Sequence, residues 1–109
     1  MNVKKSNRRI VIDAFVDENW PDEGVLLFGD AEGSCYDEGF LGIGFQHHRD
    51  PVAVYDREKC IEALADEFAE GVEPHGDPYS EAVEWFDYNT AGSWVGEQTP
   101  IIITALPVE

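Results

Sequence analysis

The chain reads as a single α+β domain, a mainly antiparallel sheet of four to five strands with two helices packed on one face. Three observations predict this. Apolar residues alternate near the start of the chain, two capped segments between residues 56 and 89 carry apolar residues at helical spacing, and the β-branched run Ile101-Ile102-Ile103 lies near the end. A length of 109 residues suits one domain. Such a chain buries roughly two-thirds of the surface it exposes when unfolded, enough for one modest core.

The first eight residues are polar and basic and read as a flexible arm, leaving residues 9–109 as one acidic domain. From Arg9 to Val16, Ile10, Ile12, Ala14 and Val16 alternate with Val11, Asp13 and Phe15, which predicts a first strand. The cluster from Asn19 to Gly24 marks a turn, and Val25 to Phe28 is a second apolar run of strand length. Ala31 to Gly39 reads as a loop. In Phe40 to Phe45, Gly42 and Gly44 alternate with Leu41, Ile43 and Phe45. This is either a third strand with a glycine face, against which something packs closely, or a loop.

Val52 to Tyr55 follows Pro51 as a short strand. Asp56 then suits a helix N-cap, with the helix running to about Glu70 and Gly71 as its stop. Its apolar stripe is Cys60, Ile61, Leu64, Ala65 and Phe68. Asp77-Pro78 opens a second helix with a cap and an N1 proline in their preferred places, running to about Asn89 and burying Tyr79, Ala82, Val83 and Phe86. Thr99 to Leu106 is apolar on both faces around its isoleucines and reads as a central strand. Ile61, Leu64, Phe68, Val83, Phe86 and Ile102 form the expected core.

Charge dominates the composition. The formal net charge is −16, from 23 acidic against 7 basic residues. Four of the basic residues are Lys4, Lys5, Arg8 and Arg9; beyond them only Arg49, Arg57 and Lys59 occur, and no Lys or Arg follows Lys59. Such a body repels nucleic acid and anionic membranes and attracts basic surfaces. No apolar run approaches the ~20 residues of a membrane span, and the basic N-terminus lacks a cleavage pattern, which points to the cytoplasm. There, Cys35 and Cys60, which fit no CxxC pattern, are expected as free thiols, at least one of them in the core.

The segment Asp50 to Ile103 contains PVAVYDREKCIEAL and then YSEAVEWFDYNTAGSWVGEQTPIII. It resembles the C-terminal half of a group of short, uncharacterised phage and prophage proteins that share a signature of the form EAxEWFDYNxxGxWVGExTP. The resemblance covers about half of the chain. It implies a phage setting and no particular reaction. Physically, the signature reads as architecture: Asn89 caps a helix end, Gly92 and Gly96 permit a reversal, and Trp94 and Val95 pack beneath it before Thr99-Pro100 starts the last strand. The alternative is a recognition loop presenting Trp94 and Glu97.

Chemical motifs are weak. His47-His48 beside Asp50, and His75 two residues before Asp77, fit no zinc spacing, and neither cysteine is near them in sequence. Asp17-Glu18 and Asp22-Glu23 lack the oxygen-ligand spacing of an EF-hand. No nucleophile elbow, P-loop or dinucleotide fingerprint is present. A carboxylate hydrolase has no specific support, because abundance alone brings acids together. No metal or cofactor is expected, and the protein is read as non-enzymatic.

The helical acids carry more information. Glu58, Glu62, Asp66 and Glu70 stand at i, i+4 spacing, roughly opposite the apolar stripe. Asp77, Glu81, Glu84 and Asp87 form a similar row on the second helix without a basic partner. Like charges at i, i+4 cost a few tenths of a kcal/mol per pair, and acids in a last helical turn oppose the dipole. Selection for stability alone would interleave lysines. Together with the phage resemblance, these eight residues predict a partner-binding surface for a basic, nucleic-acid-binding host protein, of the kind that restriction or CRISPR inhibitors use. The alternative is a salt-adapted accessory domain whose charge serves hydration.

Overall fold

A computed structural model describes residues 7–22, 24–29, 32–46, 49–70, 77–91, 96 and 98–106. The first described elements are helix α1 (Asn7–Asn19) and a 3-10 turn at Cys35–Gly39, followed by strands β1 (Phe40–Gly44) and β2 (Val52–Asp56). Helices α2 (Arg57–Ala69) and α3 (Pro78–Phe86) follow, then a π-helical turn at Asp87–Ala91 and strand β3 (Ile101–Ile103).

The predicted sheet is corrected: among the described residues there are three strands in the order β1-β2-β3, with β1 antiparallel and β3 parallel to β2. Three α-helices lie among the described residues, rather than the two expected. The parallel pair is joined through α2 and α3, the crossover that a parallel connection requires. β2 is therefore the central strand, and its Val52, Ala53 and Tyr55 are buried, as expected of a strand with neighbours on both sides. β3 lies at the edge instead. Ile102 packs on the core while Ile101 and Ile103 are exposed.

Residues 9–16 form the middle of α1, not a strand. The buried residues are Arg9, Ile12 and Val16, at spacings of three and four, whereas Ile10 and Val11 are exposed. The apolar residues of this segment surround the helix, so alternation and helical periodicity both fit it. The deciding contact is polar. Arg9 is buried against the equally buried Asp37 of the 3-10 turn, with Nη1 3.0 Å from Oδ1. It also bonds Asp13 at 3.3 Å and donates to the Phe28 carbonyl at 3.2 Å. Arg8 donates to the carbonyls of Asp37 and Phe40. α1 thus includes Asn7 and Arg8, which the sequence places in an arm.

Val25 to Phe28 is not a regular strand. Phe28 bonds side chains instead of a ladder: its N–H donates to the Tyr55 hydroxyl at 3.0 Å, and its carbonyl accepts from Arg9. The Phe28 ring covers Tyr55, with centroids 4.5 Å apart. Val25 and Leu27 also pack on the core.

The glycine strand is β1. A Cβ on Gly44 would lie 2.8 Å from Val54 Cγ2, which is the close approach expected there. Gly42 differs: it has φ +151° at the irregularity in the β1–β2 register, and its Cβ side is open.

The core joins Ile12 and Val16 of α1 to Phe40, Ala53 and Tyr55 of the sheet and to Cys60, Ile61, Leu64, Ala82 and Phe86 of α2 and α3. Of the predicted core, Ile61 and Phe86 are fully buried and Leu64 is buried, and Phe68, Val83 and Ile102 pack against them half-buried. Tyr79, predicted buried, is exposed, because its hydroxyl reaches across to α2. Both cysteines are free thiols; Cys60 is fully buried and Cys35 half-buried.

Candidate functional site

The two acidic helices start where the sequence places their caps. Asp56 Oδ1 accepts from the Glu58 and Lys59 N–H groups at 2.9 and 3.4 Å. Asp77 accepts from the Tyr79 N–H and from the Ser80 hydroxyl. Each cap satisfies N–H donors that the first turn leaves unpaired. α2 and α3 pack against each other, and neither has a basic residue in its last turn.

Three of the eight predicted acids are engaged locally. Glu58 accepts the Tyr79 hydroxyl at 2.8–2.9 Å, which ties α2 to α3 and raises the tyrosine pKa, chiefly through that hydrogen bond. Asp77 is a cap. Asp87 pairs with Arg57 at 2.6 Å in a partly exposed contact, a geometry worth about 1 kcal/mol or less.

The other five face solvent differently. Glu62 and Asp66 border a hollow of about 320 Å³ together with Glu38, Lys59 and Ala63. Glu70 is exposed at the end of α2. Glu81 and Glu84 border a separate hollow of about 380 Å³, lined also by Phe68, Trp85, Tyr88 and Asn89. Among the described residues, none of these five carboxylates forms an ion pair. Glu62 and Asp66 of one row and Glu81 and Glu84 of the other therefore border two separate hollows.

Two features escaped the sequence reading. Glu38 joins the α2 acids from the 3-10 turn, a juxtaposition that only the packing of that turn on α2 creates. The aromatic lining of the second hollow did have a sequence signal. Glu81, Glu84, Trp85, Tyr88 and Asn89 stand at i, i+3, i+4, i+7 and i+8, a second stripe beside the buried pair Ala82 and Phe86. Asn89, expected to cap a helix end, lies instead inside the π-helical turn, where its side chain donates to the Trp85 carbonyl at 3.2 Å; the C-cap of α3 is Asp87. Gly96 has φ +115°, and its carbonyl accepts from Thr99, consistent with the expected reversal. The predicted contacts of Gly71, Gly92, Trp94, Val95 and Glu97 lie outside the described residues, as do His47, His48 and His75.

The other hollows offer less. One, of about 410 Å³, is lined by residues of β1, β2 and β3 and the β1–β2 connection, including Phe45, Arg49 and Ile101. Among the described residues, no three His, Cys, Asp or Glu side chains are grouped to hold a metal ion, and no helix is long and apolar enough to cross a membrane. The thiols are poorly suited to nucleophilic work at neutral pH: burial pushes both Cys35 and Cys60 up to about 12. What the α2–α3 surface offers is fixed negative charge beside exposed aromatic rings. No family model, curated protein or solved structure matches the chain.

Proposed function

We propose that this is a small, non-enzymatic, cytoplasmic protein of phage type whose acidic α2 and α3 surfaces dock on a basic, nucleic-acid-binding surface of a host protein. Its nearest functional class is the anti-restriction or anti-CRISPR inhibitor acting as a nucleic-acid mimic. The observation that carries this reading is the absence of ion pairs, among the described residues, at Glu62, Asp66, Glu70, Glu81 and Glu84 on neighbouring helices. Their mutual repulsion goes uncompensated in a chain of net charge −16, and a cationic partner would relieve it. An i, i+4 step places successive carboxylates about 6 Å apart along a helix axis, coarser than the one phosphate per ~1.7 Å of duplex but of the same sign and regularity. The phage setting rests on the resemblance of Asp50 to Ile103.

The test is capture of host proteins at ~0.1 M salt, followed by competition with duplex DNA or RNA. Binding driven by these charges weakens as salt rises and is displaced by nucleic acid. Reversal of Glu62 and Asp66, or of Glu81 and Glu84, to Lys weakens it strongly; reversal of Asp17 and Glu18 does not. Capture insensitive to both nucleic acid and the helical reversals refutes the reading.

A salt-adapted accessory domain is the second reading, favoured by the absence of Lys and Arg after Lys59. Circular dichroism separates the two. A protein of the first kind is folded at ~0.1 M salt, where the Debye length is about 10 Å, whereas one that folds only at molar salt belongs to the second.

A further inference from the structure

On the reading that a basic surface is the partner, we propose that the aromatic hollow between α2 and α3 is the anchor point, and that it receives an arginine side chain of the partner. Trp85 is 51% and Tyr88 87% exposed. A solvated helix face normally carries charged or polar side chains, and large aromatic residues held in water are instead typical of binding surfaces. Phe68 meets Trp85 edge-to-face, with centroids 6.3 Å apart and planes at 89°, which holds the indole in place from the α2 side. The π-helical turn that carries Tyr88 is secured by the Asn89 bond to the Trp85 carbonyl. The hollow, about 380 Å³, is shallow and open to solvent, so a side chain can lie over its rings without entering an enclosed cavity.

The chemistry of the lining selects the occupant. Phe68, Trp85 and Tyr88 form the apolar part, and Glu81 and Glu84 stand on its edge. An uncharged apolar group would desolvate those carboxylates without pairing them. A cation over the rings gains from their quadrupole, and indole is the best of the three for this. Arginine fits better than lysine because its guanidinium is planar, stacks on aromatic faces, is weakly hydrated and presents a fork of donors that a carboxylate accepts in pairs. The net charge of −16 supplies the long-range attraction that brings such a group to the surface.

The probes are hexa-arginine and hexa-lysine peptides, titrated into the intact chain at ~0.1 M salt and followed by calorimetry and by the NMR signal of the Trp85 indole N–H. Hexa-arginine is expected to bind at least tenfold more tightly than hexa-lysine and to shift that signal. Trp85→Ala should reduce the hexa-arginine affinity to that of hexa-lysine while changing the hexa-lysine affinity less than twofold. Tyr88→Ala is a second variant at a ring so exposed that its loss cannot unfold the helix, and it should narrow the preference in the same direction. Equal affinities for the two peptides, an unmoved indole signal, or Tyr88→Ala and Trp85→Ala variants that retain the full preference would overturn the proposal. Its failure is distinguishable from failure of the functional reading: captured host protein still displaced by DNA, with no arginine preference, removes the anchor and leaves the mimic.

Discussion

Asp37→Ala tests whether the fold depends on the buried ion pair that holds α1 to the rest of the molecule. The side chains of Arg9 and Asp37 are 6% and 2% exposed, and Nη1 and Oδ1 lie 3.0 Å apart. Removing the carboxylate leaves a guanidinium in the interior. It also removes the acceptor of the Ser34 N–H, which Asp37 Oδ2 bonds at 3.1 Å. Breaking a buried pair from one side costs about 3–5 kcal/mol. Asp13 still reaches Arg9 at 3.3 Å and is 28% exposed, so part of the charge remains compensated and the lower end of that range applies. The unpaired Ser34 donor adds about 1 kcal/mol, giving a loss of about 3–4 kcal/mol in a domain expected to hold roughly 5–15. Urea unfolding followed by circular dichroism measures it. The double replacement Arg9→Met with Asp37→Leu removes both charges and should recover much of the loss, since an apolar pair of similar volume is often no less stable than a buried ion pair. A loss below about 1 kcal/mol for Asp37→Ala would mean that the pair is open to water, and the account of why residues 9–16 form a helix would fail with it.

Stability should also fall at high pH. Burial pushes the Cys35 and Cys60 thiols and the Tyr55 hydroxyl each up to about 12, from ordinary values of 9.0 for the thiols and 10.0 for the hydroxyl. The folded state therefore holds these protons more tightly than the unfolded chain. Their contribution is complete below about pH 9 and is lost as pH rises toward about 12. A urea midpoint that stays constant from about pH 8 to 11 contradicts this, and a Cys35→Ser/Cys60→Ala variant should show a shallower decline. In the core, Phe86→Ala should cost about 3–5 kcal/mol, because the ring is fully buried. Phe68→Ala should cost less, since Phe68 is only half-buried at the margin of the core; the opposite ranking in chemical unfolding would misplace the core's centre.

Where local chemistry decides structure, the sequence is legible. Asp56 and Asp77-Pro78 announce α2 and α3 because a cap needs only a side chain and the next few N–H groups. The apolar stripes of both helices point to the core for the same local reason. The eight helical acids were visible as a pattern, although which of them are occupied was not: Glu58 and Asp87 are tied up by Tyr79 and Arg57, partners 21 and 30 residues away. Tertiary structure decided the rest. Whether β2 or β3 is central depends on how many strands flank each one, and an isoleucine run carries no record of that number. Residues 9–16 satisfy the strand period and the helix period together, and what separates them is Asp37, which makes Arg9 a buried residue. Val25 to Phe28 has the composition of a strand, but the Phe28 backbone bonds the side chains of Tyr55 and Arg9. In each case the deciding interaction is a polar contact or a strand pairing between distant positions. Such a contact becomes favourable only once the interior has excluded water, and it leaves no periodicity in the segment it controls.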